Sequence, residues 1–348
     1  MPAISVDTFF ACSLIIVVAV SSMAVAAKIV QPYLKGMDKL NQESYLRGIV
    51  ENFLLNYGSP VNWGSNKNLT PEVFGLAKSG SFVPYELDVD KVCRLNPQNA
   101  YAITYLTLLE SLKVKDVALR ISISQMMNIH VNLMSNTTDN GFTTYSFNVK
   151  VERDGLPVEA YLRCYLVAKN YLSGVSTDTS SNGEAAVNVE IPNSSNGTAL
   201  FIVFARAKVD SKVTCYAVHS FGHLSQQPQP NGSFLKLSPL NYTLYVNKIF
   251  ENETLLNAYA LTYNYNFSLT LNSNTTYKIP KLLDSSPIVL VVTGTNSSEF
   301  FAEWTAYPQV PLEMGANFQH SENAAFTYIV RINNVLYRFE AKCGGPSS

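Results

Sequence analysis

The residues of this sequence whose types suit chemistry are few and scattered. His219 and His223 stand four apart in HSFGH. On a helix that spacing puts two imidazoles on one face, as a zinc site requires, with an intervening Glu as the base. Here no Glu intervenes and the context is a strand entering a glycine turn, so exposed turn histidines are expected and no metal. Asp88 and Asp90 in ELDVD are the nearest approach to a paired-carboxylate hydrolase, but carboxylates two apart share one face of any extended segment. Asp178 with Asn182 reads as an Asx-rich turn before it reads as a calcium site. GxSxG, P-loop and GxGxxG motifs do not occur, so nucleophilic, phosphoryl-transfer and dinucleotide chemistry have no recognisable carrier. No catalytic residue, cofactor or metal is expected, and the chain reads as non-enzymatic.

The remaining chemistry belongs to cysteines and asparagines. Cys12 lies in an apolar run and behaves as a small hydrophobe. Cys93, Cys164, Cys215 and Cys343 form no CxxC or Cys/His cluster, which argues against zinc and, in an exported chain, for disulfides. Cys164 in VEAYLRCYLVA and Cys215 in KVTCYAV both fall on the inward face of an alternating strand and form the best pair. Cys93 with Cys343 follows by elimination. Asn-X-Ser/Thr occurs at Asn68, Asn136, Asn193, Asn196, Asn231, Asn241, Asn252, Asn266, Asn274 and Asn296, against about five expected by chance, which makes each a candidate glycosylation site of an exported chain.

Composition agrees with export. With 25 Lys plus Arg against 26 Asp plus Glu, the net charge is −1, so no basic face recruits nucleic acid. Only 15% of residues are charged while 47% are hydrophobic. Such a chain is not disordered, and it keeps its solubility through uncharged Asn, Ser and Thr. Tyr259, Tyr263 and Tyr265 read first as strand packing and second as a face that contacts surface glycans.

These residues need elements to position them. Residues 8–27, TFFACSLIIVVAVSSMAVAA, carry no charge; as a helix they span about 30 Å, the thickness of a bilayer core. Ala24-Val25-Ala26 has the small residues of a signal cleavage site, but no basic n-region precedes it. Lys28, Lys35, Lys39 and Arg47 follow the run, and taken alone would hold the rest of the chain inside the cell. The sequons, all beyond residue 57, override that weak charge argument. Val30, Leu34, Met37, Leu40, Leu46, Ile49, Val50, Phe53 and Leu54 continue the helical period in an amphipathic pattern. Pro32 is expected to kink this helix and Gly58-Ser59-Pro60 to end it. A second helix is expected over 98–112. Beyond it the alternation is that of strands, with turns at Arg153-Asp154-Gly155 and Asn333-Asn334. The Pro- and Gln-rich stretch 224–239 reads as a linker.

The opening Ile4-Ser5-Val6-Asp7-Thr8-Phe9-Phe10, running straight into an apolar helix, resembles the start of archaeal type IV pilin-like subunits with a class III signal. ENFLLNYGSPVNWG (51–64) and the closing IVRINNVLYRFEA are similar to later segments of the same surface proteins. Asp154-Gly155-Leu156-Pro157-Val158, Thr177-Asp178 and Asn182-Gly183-Glu184-Ala185 resemble the turns of Ig-like or transthyretin-like modules. The pilin resemblance implies assembly through bundled N-terminal helices. Asp7 would then pair with a neighbour's N-terminal amine, since a lone buried charge is costly.

Together these readings predict an α+β, mainly β chain. A long N-terminal transmembrane or pilin-type helix (1–57, spanning at 8–27) precedes an α/β head segment (58–135). An Ig-like β-sandwich (136–224), a linker (225–240) and a C-terminal β domain (241–348) follow, making two β-sandwich-like domains. The expected partners are other pilin-like subunits, reached through the helix, and the membrane. The expected location is the cell membrane with extracellular C-terminal domains, or an extracellular filament. The alternative is a secreted or S-layer-associated adhesin whose first 27 residues are removed; an extracytoplasmic hydrolase ranks below both.

Overall fold

The computed structural model describes residues 6–114, 117–273, 275–281, 284–297, 299–318 and 323–344. The chain divides into two compact units, Met1–Glu51 and Asn52–Ser348. A single helix, α1 (Val6–Leu55, 50 residues), makes up the first and runs into the second. Its backbone stays helical through Pro32. It stops at the expected place, where Gly58 takes φ +70°, a conformation that a Cβ disfavours.

In the second unit the head segment holds two short helices, α2 (Val89–Cys93) and α3 (Tyr105–Leu112). Residues 98–104, expected as the first half of a helix, are turn and coil instead. Thr104 caps α3 by accepting from the Thr107 N–H, which fixes the start of the helix there. Phe53 stacks edge-on against Phe74 and Phe339, with ring centroids 5.4 and 6.0 Å apart. Trp63 of the VNWG motif lies 6.1 Å from Phe74 and donates its indole N–H to the Gly75 carbonyl.

The strands then begin: β1 (Ala118–Gln125), β2 (Asn128–Asp139), β3 (Phe142–Arg153), β4 (Leu156–Pro157), β5 (Ala160–Ala168), β6 (Tyr171–Asp178), β7 (Glu184–Pro192), β8 (Gly197–Ala207) and β9 (Thr214–His223). β3 pairs with β2 on one side and with β7 and β4 on the other. A second antiparallel sheet runs in the order β6-β5-β8-β9. The Asp154-Gly155 turn between β3 and β4 has φ of 51° and 81°, the doubly left-handed hairpin its sequence predicts.

The rest of the chain adds β10 (Leu235–Leu240), β11 (Thr243–Lys248), β12 (Glu253–Leu261), β13 (Asn266–Ser268), β14 (Leu271–Ser273), β15 (Thr276–Lys278), β16 (Ile288–Asn296), β17 (Glu299–Tyr307), β18 (Leu312–Gly315), β19 (Ala324–Ile332) and β20 (Val335–Gly344). These form the sheets β10-β11-β15-β14 and β13-β12-β16-β17, and with β1 the sheet β18-β1-β20-β19. Asn333 and Asn334 turn the β19–β20 hairpin with φ of 48° and 66°, as their pairing with flanking strands predicts.

The core is organised around β5 and β8. One face of their sheet (Leu162, Cys164, Leu166, Phe201, Val203, Ala205) packs on Tyr145, Phe147, Val149, Val187 and Val189 of β3 and β7, with Phe147 stacked on Phe201 at 4.2 Å. The opposite face (Tyr165, Val167, Leu200, Ile202, Phe204) packs on Leu261, Val289, Val291 and Phe300 of β12, β16 and β17. Three sheets therefore stack in layers, and the regions 136–224 and 241–348, expected as two separate sandwiches, share a core. Their strand patterns record this. β7, EAAVNVEIP, alternates exposed and buried because it has one wet face, whereas ALFIVFA of β8 is buried throughout. The expected linker 225–240 is corrected as well: its last six residues are β10, largely buried and paired along their length with β11.

Candidate functional site

The apolar run of α1 is a surface in its own right. Phe9–Ile29 are 21 residues of mean hydropathy 2.5, long and apolar enough to cross a membrane, and none of that window is buried within the protein. Phe9, Leu14, Ile15, Val17, Val20 and Met23 each expose 60% or more of their surface. The polar atoms are satisfied inside the helix: the Ser13 hydroxyl donates to the Phe9 carbonyl, and those of Ser21 and Ser22 to the Val18 carbonyl. Hydrocarbon demands this arrangement, because it offers no partner to a hydroxyl. Asp7 lies in the first turn of α1; its side chain falls outside the described residues.

The sequence's metal and hydrolase candidates are occupied otherwise. His223 is not an exposed turn residue: it is fully buried at the end of β9. Its Nδ1 meets the Tyr145 hydroxyl at 2.9 Å and its Nε2 the Pro192 carbonyl at 3.1 Å. Burial lowers its pKa, partly opposed by that carbonyl. His219 packs against Phe147 and Phe221. Four residues apart on a strand, the two rings are about 13 Å from one another, too far to share an ion. Among the described residues no group of three or more His, Cys, Asp or Glu side chains could hold a metal.

Asp88 caps α2, its carboxylate accepting from the N–H groups of Asp90 and Lys91. Asp90 is buried and accepts from the Asn241 N–H at 2.7 Å and the Tyr307 hydroxyl at 2.8 Å; burial raises its pKa. Lys91, fully buried, donates to the Tyr57 and Ala77 carbonyls, and burial lowers its pKa. Arg94 reaches the carbonyls of Trp63, Asn66, Leu69 and Tyr101. These charges tie loops of the head segment to each other and to β10–β11.

The expected disulfides are corrected. Cys93, Cys164, Cys215 and Cys343 are buried free thiols, and Cys12 is a free, exposed one. Cys164 and Cys215 do share the inward face, but β8 lies between their strands: Cys164 is opposite Val203, and Cys215 is opposite Ala205. Two strand spacings put their Cα atoms about 10 Å or more apart, beyond the reach of an S–S bond. Burial pushes the thiols of Cys164, Cys215 and Cys343 up to about 12.

The sequons sort by exposure. Asn68, Asn136, Asn196, Asn231, Asn241, Asn252 and Asn266 are exposed, Asn193 and Asn296 are half-buried, and Asn274 lies outside the described residues. The Asn193 side chain accepts from Thr143. That of Asn231 is engaged along the β17 edge, exchanging hydrogen bonds with the backbone N–H and C=O of Trp304.

Two clefts on the β unit hold buried carboxylates that no sequence spacing announces. One, of about 490 Å³, is lined by Lys248, Glu253, Asn257, Tyr259, Leu271 and Tyr277. Glu253 is 2% exposed; burial raises its pKa, opposed in part by the backbone N–H groups of Phe250 and Ile249. The other, of about 310 Å³, is lined by Arg206, Ser211, Asn264, Tyr265, Asp284 and Ser285. The tyrosines expected as one face are split between them. Tyr259 lines the first, Tyr265 lines the second, and Tyr263 packs beneath the Arg206 guanidinium at 3.7 Å.

No family model matches the sequence, and no curated protein matches it. Among solved structures, HBP35 of Porphyromonas gingivalis is similar at 12% identity, over 52% of this chain and 63% of that one, with a TM-score of 0.21. Human GIVD cytosolic phospholipase A2 is similar at 9% identity, over 68% of this chain and 34% of that one, with a TM-score of 0.16. Likenesses of this size carry no argument about fold or activity.

Proposed function

We propose that the protein is a non-enzymatic, membrane-anchored or filament-forming surface glycoprotein of the pilin-like type, with Ig-like β modules displayed beyond the membrane. The observation that carries this reading is the Phe9–Ile29 span, apolar on every side and satisfied in its own hydrogen bonds. A soluble protein does not leave such a rod uncovered, because exposed apolar area on this scale drives association or insertion. The exposed sequons of the second unit support export. The structural roles of Asp88 and Asp90 favour display over hydrolysis.

Fractionation of native cells tests the reading. The chain is expected in the membrane or in sheared filaments, resistant to alkaline carbonate, with glycans on the second unit. Val17→Arg should release it, since an arginine at mid-span costs about 3 kcal/mol of insertion. Native N-terminal sequencing decides against the secreted-adhesin alternative if the span is retained, and for it if the chain begins at Lys28. Asp7→Ala should impair assembly while leaving the second unit folded. Unaltered filaments in that variant would remove the pairing role.

A further inference from the structure

We propose that His223 is an acid-sensitive latch: neutral, it ties β9 to β3 and β7 and holds down the chain that leaves β9, and protonation releases both. The ring is fully buried. The Pro192 carbonyl of β7 can only accept, so Nε2 carries the hydrogen and donates to it at 3.1 Å. Nδ1 is then the acceptor for the Tyr145 hydroxyl of β3, at 2.9 Å. That hydroxyl in turn accepts the N–H of Leu224, the first residue beyond β9. The series Leu224, Tyr145, His223, Pro192 is therefore fully bonded only around a neutral imidazole. Leu224 sits at φ +49°, a backbone conformation that a Cβ disfavours, so the bond from its N–H holds a turn that local sterics resist. Beyond it, Ser225 and Gln226 fold back so closely over the strand end that a Cβ at Gly222 would meet their carbonyl oxygens.

A proton on Nδ1 turns that acceptor into a donor. The Tyr145 oxygen must then accept from both His223 and Leu224, and its own hydrogen is left without a partner. The imidazolium would also be buried without a counter-charge, which is costly. Around the ring, β3 supplies Tyr145, β7 the Pro192 carbonyl, β8 the backbone of Gly197, and β9 itself His219 on the same face. Glu190 of β7 and Asp139 of β2 are exposed. Burial lowers the pKa of the ring and only the Pro192 carbonyl opposes it. Opening at the end of β9 brings the ring to water, where it takes a proton near the ordinary 6.5. The closed form takes it only at lower pH, so the open fraction grows by up to about tenfold per pH unit as pH falls below 6.5. The segment so released is one wall of a cleft of about 390 Å³, where Ser225, Gln226 and Gln229 face Lys169, Asn196 and Glu299. The latch thus sets the width of that cleft, and it does not depend on the fate of the N-terminal helix.

Hydrogen exchange on the full chain in detergent, between about pH 7.5 and 4.5 and corrected for intrinsic rates, tests the latch. Protection over residues 221–229 should fall about tenfold across that range, while β16 keeps its own. His223→Gln, neutral at every pH, should abolish the fall. His219→Gln, which removes the other imidazole of the same face, should leave it in place. Carbon-13 NMR of the histidine rings in the unaltered chain, which holds four histidines, should show His223 as the Nε2–H tautomer titrating below 6.5; this reading needs no variant to fold. The proposal is overturned if protection over 221–229 follows pH no more steeply than that of β16, if the fall survives His223→Gln or disappears in His219→Gln, or if the His223 ring titrates at 6.5 or above.

Discussion

The Tyr307 hydroxyl donates to the Asp90 carboxylate at 2.8 Å, joining residues 217 positions apart. The same oxygen accepts the Asn241 N–H at 2.7 Å, so one buried acid fastens α2 both to the β10–β11 turn and to the end of β17. Asp90→Ala leaves the buried Tyr307 hydroxyl and the half-buried Asn241 N–H without their partner and should destabilise by about 2–3 kcal/mol. Tyr307→Phe should cost about 1–2 kcal/mol. In urea unfolding the double variant should lose less than the sum of the two, and strict additivity would show that the contact contributes nothing.

Glu86 governs behaviour in acid. Burial alone would raise its pKa, but hydrogen bonds from Ser81, Arg331 and Lys78 outweigh it and hold the group at about 2, against an ordinary 4.5. A depressed carboxylate contributes stability that is present above pH 4.5 and lost as pH falls toward 2, worth about 3 kcal/mol in full. Glu86→Gln should therefore lower the unfolding midpoint at pH 6 and flatten its decline between pH 4.5 and 2.

Glu253 should act with the opposite sign. Burial raises its pKa, so the folded state favours its protonated form and stability drains away as pH rises through that raised value. Glu253→Gln keeps the shape without the charge. It should match the parent near pH 4 and exceed it in unfolding midpoint at pH 8; equal midpoints at both would show that the carboxylate is solvated.

The thiols give a test of burial. Cys164, Cys215 and Cys343 are held almost wholly protonated at neutral pH by their raised pKa values, and a thiol without thiolate character neither attacks nor oxidises readily. In the native protein a thiol reagent should spare the four buried cysteines, and all should react after unfolding. Electrophoretic mobility should be the same with and without reductant. A mobility shift under native oxidising conditions would mean that a crosslink forms despite the intervening β8.

Local chemistry in the chain was enough for several elements. The Asn333-Asn334 and Asp154-Gly155 hairpins are legible because two adjacent residues that tolerate positive φ between alternating strands leave few other turns. The end of α1 is legible from Gly58-Ser59-Pro60, and its apolar span from length alone. The cysteine pairing was not. Alternation tells which face Cys164 and Cys215 occupy, but it is silent on β8, which sits between their strands. His223 was misplaced for a similar reason: its burial depends on Tyr145 and Pro192, one from each of two other strands.

What the sequence by itself determined is the periodic content of the protein: one helix with an uncharged stretch long enough for a bilayer, then strands and turns. Those follow from neighbours a few residues apart, where side-chain period and backbone preference act directly. Only the tertiary structure decided that the central β5–β8 sheet packs a core on each of its two faces, that Asp88 and Asp90 are fastenings, and that Arg206 and Asp284, 78 residues apart, face one cleft. Such juxtapositions depend on which sheet covers which, and burial of apolar faces sets that without leaving a local mark on the charged residues it brings together.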